Sequence, residues 1–391
     1  MKKLLFILCC SCLISGAIHA QTIDLASGIT GGDEKPATDK KTEQKVEVKQ
    51  DEKQVADDRG IFSFLNFSFL NFSFIKKPAF LDSKTDEPAQ NKENNEQSEK
   101  IEETPLQKIH RLADEGNLEA ELALGYMYLY GENGVESDYT KAFAYYEKAA
   151  AQNDKIALNN LGSLYFNGIG TEVNYVKAAE LFAQAAKLGS DDAAVNLAFI
   201  YLSGNNQNKN LQEAIELFRQ AANAGNNTAR FMLGYAYYKG FQVQQDYYKA
   251  VELMKISSEA KFDEAQYVLA LMYMNGQGIA KNYGNAVKYL TASAAQGNVS
   301  ALMQLADILT EGTIYPRNLV RAHIMYNIAS VLGAPGAAQK RDDLEQKLQL
   351  EQLLPAQTAA EQFKAKPSEL TSYVRQTFGD NIRRYIDENM K

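Results

Sequence analysis

Cysteine is nearly absent from this chain of 391 residues, and its placement excludes several kinds of site. The three cysteines are Cys9, Cys10 and Cys12, all within a short N-terminal segment. If that segment is removed on export, the remaining chain has no thiol. We therefore expect no disulfide framework, no cysteine-ligated metal and no cysteine nucleophile in the mature protein.

Histidine is equally scarce, and acidic residues outnumber basic ones. After the first twenty residues only His110 and His323 remain, and the formal net charge is −8. Zinc sites, Ser-His-Asp triads and Gly-rich phosphate loops that follow a strand all lack their parts. The acidic balance provides no basic surface for nucleic acid. These absences predict a protein that is not an enzyme and that has no cofactor and no metal.

A repeat takes the place of such chemistry. From residue 120 to residue 336 the same residue types return every 36 positions, with one extra residue in the first unit. One column is leucine throughout: Leu124, Leu161, Leu197, Leu233, Leu269 and Leu305. Another is glycine: Gly131, Gly168, Gly204, Gly240, Gly276 and Gly312. A third is aspartate or asparagine: Asp138, Asn174, Asn210, Asp246, Asn282 and Asn318. A period of this size indicates a solenoid, a propeller or an array.

Each unit reads as a first and a second helix joined by a glycine-containing loop. Ala157, Leu161 and Leu164 fall at i, i+4 and i+7, which is one face of a helix. The glycine column follows that face, where a helix end favours a positive φ. The Asp/Asn column precedes the second segment, where a side-chain oxygen can cap a new helix. We therefore predict an all-α stack of helix hairpins.

The pattern A-x-x-x-L-G-x-x-Y-x-x-G-x-G, followed by D-x-x-K-A and A-A-x-x-G, resembles the Sel-1-like repeat, a relative of the tetratricopeptide repeat. The third unit departs from it with Gly204-Asn-Asn-Gln-Asn in place of Gly-x-Gly, and the sixth has Leu309 in place of tyrosine. The resemblance implies a right-handed superhelical solenoid of six 36-residue repeats with terminal capping helices. It also implies a scaffold or adaptor that binds other proteins. Some exported relatives staple each hairpin with a disulfide, which these repeats cannot form.

Helical segments flank the repeats on both sides. Residues 104–119 predict an N-terminal capping helix, and residues 337–366 predict C-terminal capping helices, one of them with Pro355 at its first position. Residues 367–391 predict a tail helix that is broken near Gly379. The tail either docks back on the solenoid or reaches a partner.

The N-terminal third is predicted to carry an export signal and a linker. Residues 1–20 combine a charged start, an apolar core and a small-residue cleavage region that ends at Ala20. An uncleaved membrane anchor is disfavoured because a span needs about 20 apolar residues, and lipidation at Cys10 or Cys12 is a third alternative. The signal predicts export to the periplasm, or to the outer membrane or beyond.

Residues 21–103 read as a disordered charged linker, since they hold too few apolar residues to build a core. An aromatic segment at 61–75 interrupts the linker with Phe-Ser-Phe-Leu-Asn, repeated. Either this segment docks on a membrane surface or on a partner's sheet edge, or it is a gene duplication without a role.

Polar side chains on the first helices are the candidate binding residues. In related superhelices these helices line the concave side, and four amides are expected to be exposed there: Asn160, Asn167, Asn196 and Gln304. An amide can donate to and accept from the backbone of an extended peptide. The alternative is that asparagine merely belongs to the repeat consensus. The acidic pairs Asp191-Asp192 and Asp263-Glu264 are interpreted as a solvated edge at helix starts.

The sequence therefore predicts an exported, non-catalytic scaffold that binds a protein or peptide partner in the bacterial cell envelope, with a role in host interaction included. The rival hypothesis is a periplasmic protein that binds or hydrolyses peptidoglycan fragments or β-lactams, as has been proposed for a few relatives. The missing triad and the missing disulfides disfavour the rival.

Limited proteolysis tests this division of the chain. We expect a protease to cut between Gln21 and Glu103 well before it cuts the repeats, because only the repeats have a core that protects the backbone. Mass spectrometry of a digestion time course gives the order of cleavage. Resistance of residues 21–103 would show that the aromatic segment is packed against something.

Overall fold

Helices make up the regular structure of the computed structural model, which describes residues 103–205, 209–378 and 382–389. Within these ranges the chain forms seventeen helices and no strand. The predicted signal at 1–20, the linker up to residue 102 and the aromatic segment at 61–75 lie outside the described residues. None of the described helices combines the length and the apolar composition needed to cross a bilayer.

The helices follow one another with short connections. In chain order they are α1 (Pro105–Asp114), α2 (Leu118–Tyr130), α3 (Tyr139–Ala151), α4 (Lys155–Asn167), α5 (Tyr175–Lys187), α6 (Asp191–Ser203), α7 (Leu211–Ala224), α8 (Asn227–Lys239), α9 (Tyr247–Glu259), α10 (Asp263–Asn275), α11 (Tyr283–Ala295), α12 (Val299–Glu311), α13 (Leu319–Val331), α14 (Ala337–Glu345), α15 (Leu350–Glu361), α16 (Glu369–Phe378) and α17 (Ile382–Asn389). The six repeats supply α2 to α13, and the even-numbered members of this set are the first helices. Each repeat helix packs on the helix before it and the helix after it, as the predicted solenoid requires.

The ends of the repeat helices are set by the columns seen in the sequence. Helix α4 begins where the Asp154 carboxylate accepts from the backbone N–H of Ala157 at 2.9 Å. It ends at Gly168, which adopts a φ of 68° that L side chains rarely adopt. Helix α5 then begins where the Asn174 side chain accepts from the backbone N–H of Lys177 at 2.9 Å. Both predicted helix signals are confirmed in this unit.

Small residues let the two helices of a hairpin approach closely. A β-carbon on Gly162 of α4 would lie 2.8 Å from the Phe182 ring of α5, so no larger residue fits without a shift. The leucine column is buried in the core, and Leu161 and Leu197 are both 5% exposed and belong to the same core cluster. One continuous core cluster runs from Leu122 to Met272, and a second continues to Leu344.

Helix α1 covers the first repeat. Thr104 accepts from the backbone N–H of Gln107 at 3.2 Å, and the Gln107 side chain accepts from the backbone N–H of Thr104 at 2.8 Å. Ala113 of this helix is buried and joins a small core cluster with Ala120 and Leu124. The segment therefore closes the apolar end of the stack, as a capping helix does.

The prediction that Pro355 begins a helix is wrong. Helix α15 begins at Leu350, and Pro355 lies inside the helix. At its start the Gln352 side chain accepts a hydrogen bond from the backbone N–H of Gln349 at 3.1 Å. A proline there removes one backbone bond. Helix α15 packs on α13 and buries Ala356, and this packing holds the helix together through the proline.

The tail helices α16 and α17 dock back on the repeats. Val374, Ile382 and Ile386 are 1% exposed or less and belong to the main core cluster. Helix α17 packs on α6, and residues 379–381 between the two tail helices lie outside the described ranges. Of the two alternatives for the tail, docking on the solenoid is the one observed.

The leucine column offers a direct test of the packing. We expect Leu161→Ala to lower the free energy of unfolding by about 2–5 kcal/mol, because it leaves a cavity in the core. Leu188→Ala is the matched control, since Leu188 is 49% exposed, and we expect a change within about 0.5 kcal/mol. Urea unfolding followed by circular dichroism measures both. Equal effects of the two substitutions would contradict the observed burial.

Candidate protein-docking face

The tail defines one face of the repeats, which we call the docking face. It consists of first-helix residues, and of residues in the turns that precede the first helices, that contact Ser368, α16 or α17: Tyr235, Lys239, Lys261, Asp263, Glu264, Tyr267, Gln296 and Ser300. These residues come from three consecutive repeats. The docking face is therefore a surface that no single hairpin could form.

Two buried ion pairs hold the tail at the start of α10. Nη2 of Arg375 lies 2.5 Å from Oδ2 of Asp263, and Arg383 pairs with Glu264. The Asp263 side chain is 1% exposed and the Glu264 side chain is 5% exposed, so both carboxylates depend on the tail for a cation. Arg383 also stacks over the Tyr267 ring with its guanidinium carbon 4.2 Å from the ring centroid.

Burial and the two arginines act against each other at this site. Burial raises the pKa of Glu264, the Arg383 guanidinium opposes that rise, and the neighbouring Asp263 charge adds to it. For Arg383 burial acts to lower the pKa, but the Glu264 carboxylate and the Tyr267 and Tyr235 phenols together outweigh it, so the pKa of the guanidinium lies above its ordinary value. Arg383 therefore stays charged. Burial favours the neutral acid form of Glu264, and the charge of Arg383 favours the carboxylate form.

The tail also completes the N-terminus of α10. The first helices of the other five repeats begin with a side-chain cap from Asn117, Asp154, Ser190, Asn226 or Asn298. At the same position α10 has Phe262, which provides no side-chain cap. The backbone N–H of Asp263 instead donates to the Thr371 hydroxyl of α16 at 3.1 Å. A tail residue thus satisfies the first backbone amide of α10, whereas the caps of the other first helices accept from the third.

Backbone and amide groups fix the beginning of α16. The Ser368 hydroxyl donates to the carbonyl of Lys261 at 2.8 Å, and the backbone N–H of Ser368 donates to the Gln296 side chain at 2.8 Å. The Thr371 hydroxyl lies 2.8 Å from the same Gln296 oxygen. Nη1 of Arg375 donates to the carbonyl of Gln296 at 3.0 Å. These groups bind a peptide backbone and short hydroxyl side chains at a defined register.

Helix α17 contributes a negative charge, Asp387, to the part of the docking face formed by α8. The Tyr235 hydroxyl donates to the Asp387 carboxylate at 3.0 Å, and Nζ of Lys239 lies 3.6 Å from it. Burial of Tyr235, reinforced by the Asp387 charge, raises the pKa of the phenol, so the hydroxyl keeps the proton that it donates. The docking face therefore contacts two cations and one anion of the tail, each with a complementary group.

The interpretation of Asp263 and Glu264 as a solvated edge is wrong, because the tail covers them. Asp191 and Asp192 occupy the same positions two repeats earlier, and both keep partial exposure. There the Asn226 amide donates to Asp192 at 3.0 Å and lies 3.3 Å from Asp191. In the fifth repeat the Asn298 amide likewise donates to Asp263 at 3.1 Å. The acidic positions thus contact the next cap in both repeats, and in the fifth repeat they also bind the arginines of the tail.

The predicted exposure of Asn160 and Asn196 is also wrong. Asn160 is 0% exposed and Asn196 is 8% exposed. The Asn196 amide donates to the Asn159 side chain at 3.0 Å, and Asn160 lies beside Tyr146, a phenol whose pKa burial raises well above its ordinary value. A position three residues after the alanine column is turned by about 300° around the helix, so it returns to the buried face. These two amides are structural.

Asn167 and Gln304 are partly exposed, and partner binding by them stays a prediction. The side-chain nitrogen of Asn167 donates to the carbonyl of Ser163 at 2.8 Å, and its side-chain oxygen is a hydrogen-bond acceptor. It occupies the repeat position of Lys239, which contacts the tail. Asn167 in α4 and Tyr130 in α2 are therefore the counterparts, in the first two repeats, of a docking-face residue.

The histidines do not form a site. His323 is buried and its Nε2 lies 2.9 Å from the Glu345 carboxylate, which ties α14 to α13. His110 contacts the hydroxyl of Tyr145 at 3.4 Å. Among the residues described, no group of three or more histidine, cysteine or acidic side chains is placed to hold a metal ion.

Sequence reasoning missed the contribution of the tail to this face. One signal was available: Phe262 interrupts a column that otherwise supplies a helix cap, directly before two acidic residues. A helix start without a cap but with two carboxylates predicts an external hydrogen-bond acceptor and external cations. The identity of that external group, residues more than 100 positions later in the chain, has no local signal.

Comparison with known proteins identifies the repeats. The family model described as Sel1 repeat matches residues 118–154, 155–190, 191–226, 228–262, 263–298 and 299–333. A Sel1 repeat protein from Oxalobacter formigenes is similar in structure, with 26% sequence identity and a TM-score of 0.53 over 63% of this chain and 98% of that chain. The comparison with curated proteins found no match.

Two further solved structures are more distant in shape. A protective antigen of uropathogenic Escherichia coli strains, which displays an SLR fold, has 25% identity and a TM-score of 0.49 over 70% of this chain. This chain covers 66% of the antigen's length, just under two thirds. An immunity protein from Pseudomonas aeruginosa has 20% identity and a TM-score of 0.35 over 57% of this chain and 83% of that chain.

The ion pair of Arg383 offers a test of tail docking. We expect Arg383→Ala to weaken docking by about 3 kcal/mol, because Glu264 is left buried without its cation. The tail is terminal and can lift away, so hydrogen exchange should rise in α16 and α17 and stay unchanged in α4.

Hydrogen exchange read by mass spectrometry measures this change peptide by peptide. Arg341→Ala is the control, since Arg341 pairs with the exposed Asp342 on α14, and surface pairs contribute little. Unchanged exchange of the tail in Arg383→Ala would contradict a docking role for the pair.

Proposed function

This chain belongs to the Sel1 repeat family, whose members are commonly scaffolds for protein–protein interaction, and we propose that it is an exported scaffold that binds segments of other proteins in the bacterial cell envelope. The observation that carries the proposal is the docking face itself. It binds a polypeptide segment through backbone carbonyls, paired carboxylates and an apolar surface. These groups recognise a peptide, whereas a small metabolite would require an enclosed pocket.

The proposed scaffold is non-catalytic, as Sel1 repeat proteins generally are. The docking-face groups with shifted pKa values are each bound to a tail residue, since Glu264 pairs with Arg383 and Tyr235 donates to Asp387. A catalytic acid or base needs a free path to substrate. The tail contacts both Glu264 and Tyr235 and so occupies the position from which a substrate would reach them.

Export is the part of the proposal that depends on sequence alone. The charged start at Lys2-Lys3 and the apolar run that follows support a signal for the envelope. The absence of cysteine after Cys12 means that the repeats fold in the same way in a reducing or an oxidising compartment. We propose the periplasm as the location and extend the partner class to host proteins if the chain is released.

Site-specific photo-crosslinking in the source bacterium tests the proposal. A benzoylphenylalanine at position 167 of the full-length chain should crosslink to a defined envelope protein, because partly exposed Asn167 occupies in the second repeat the position that Lys239 has on the docking face. The same probe at position 188 is the control, since Leu188 is exposed at the end of α5.

The fractionated cells are analysed by mass spectrometry of each crosslinked band. A band that depends on position 167 and occurs in the periplasmic fraction supports the proposal. Identical bands at both positions, or a protein that remains in the cytoplasm, would contradict it. Turnover of muropeptides or of a chromogenic β-lactam by the purified protein would contradict the non-catalytic role.

A further inference from the structure

Building on the proposed scaffold function, we propose that the docking face over α8, α10 and α12 selects amphipathic helical segments with two arginines eight residues apart, and that the chain's own tail is an intramolecular competitor for this face. The tail shows the chemistry of a fitting occupant residue by residue. A partner of this class would have to displace it. The docking face is thus a recognition surface to which a partner binds only if it binds more strongly than the tail does.

Charge complementarity defines the first requirement. Asp263 and Glu264 are adjacent, buried and of the same sign, so each carboxylate needs its own cation. Arg375 and Arg383 meet them one to one, and the separation of eight residues spans the two tail helices. A segment with one cation would leave a buried carboxylate unpaired, and an acidic segment would be repelled.

The opposite end of the occupant is acidic. Asp387 lies four residues after Arg383 and meets Tyr235 and Lys239. The face therefore carries two anions followed by one cation, and the tail carries two cations followed by one anion. A helix that binds in the reversed direction would place its acidic residue toward Asp263 and Glu264. This order of charges gives the face a preferred direction for its occupant.

Apolar and hydroxyl groups complete the requirement. Ile382 and Ile386 are one helical turn apart and are both buried on the repeats, with Val374 from the preceding helix. Thr371 lies four residues before Arg375 and caps α10 where Phe262 does not. A fitting segment therefore has a hydroxyl residue, an arginine four positions later and a second arginine eight positions after that, with apolar residues beside both arginines.

The tail is suited to act as a replaceable occupant. Helix α17 has eight residues, and isolated helices shorter than about 12 residues are marginal in water. Its order therefore depends on the face that it covers. Both tail helices follow the last capping helix in the chain, so they can leave the face without a break in the order of the repeat helices. Because the tail is tethered, its effective concentration is on the order of millimolar, and a partner must exceed that competition.

A peptide with the tail sequence tests both parts of the proposal. The probe is a fluorescent synthetic peptide of residues 367–391, and the proteins are the wild-type chain and the full-length variant Arg375→Gln/Arg383→Gln. The substitutions weaken the internal competitor and leave the face intact. We expect the variant to bind the peptide at least about tenfold more tightly than the wild-type chain. Fluorescence anisotropy measures the two affinities.

Two controls establish that binding uses the charges. Adding Asp263→Asn/Glu264→Gln to the variant should weaken binding of the peptide about tenfold or more, because both cations lose their partners. A peptide with the two arginines replaced by glutamine should bind the variant with the same loss. Circular dichroism of each protein establishes that its helices are retained. Equal affinity of the peptide for the wild-type chain and the folded variant would overturn the proposal.

A second measurement needs no substitution in the protein. Excess unlabelled peptide is added to the uniformly ¹⁵N-labelled wild-type chain, and hydrogen exchange is followed only in labelled fragments. We expect faster exchange in α16 and α17 of the protein, because the peptide displaces them, and unchanged exchange in α4. Unchanged exchange of the tail at saturating peptide would overturn the competition, whatever the variant shows.

The outcomes separate this inference from the proposed function. Crosslinking at position 167 reports partner binding outside the tail contacts, and the peptide experiments report selection at α10. Failure of the peptide experiments with a position-dependent crosslink would overturn only the inference. A missing crosslink with tight, charge-dependent peptide binding would overturn only the proposed envelope scaffold.

Discussion

Stacking between neighbouring hairpins is the interaction on which the rest of this structure depends. A single hairpin cannot cover its own leucine column, and no disulfide is available after Cys12 to hold it closed. Each unit is therefore stabilised by packing on the next, while within a hairpin small residues such as Gly162 let the two helices approach to contact distance. The consequence is a long surface whose binding groups come from several units, because any face of a stack is shared.

The starts of the first helices are where that shared surface acquires specificity. A helix start concentrates orphan N–H groups and favours nearby carboxylates. In most repeats the preceding residue supplies the cap and closes the position. In α10 the residue is Phe262, and the cap comes from Thr371 of the tail. One departure from the repeat thus turns a structural position into a binding position, while the fold around it stays regular.

The helices and their ends could be predicted from sequence because each determinant is local. Gly168 ends a helix and Asn174 begins one through contacts with residues a few positions away, and their two columns recur in every unit. The burial of Asn160 and Asn196 was harder to predict from the sequence. At a position about 60° from the centre of the buried stripe, the next hairpin decides whether a side chain is covered. The contact of Arg375 with Asp263 was not predictable at all, since 112 residues separate the two and no periodicity links them.

The two ion pairs are better suited to selecting an occupant than to stabilising the fold. Removing a carboxylate and a guanidinium from water costs several kcal/mol per ion, and the pair recovers this only with complete hydrogen bonding. Within the described part of the chain, Oδ1 of Asp263 and Nε of Arg375 have no hydrogen-bond partner. Apolar side chains of similar volume would bury as much surface without that cost. The carboxylates, however, reject every segment that does not bring a cation to each of them, and this discrimination is what a shared surface on a repeat stack otherwise lacks.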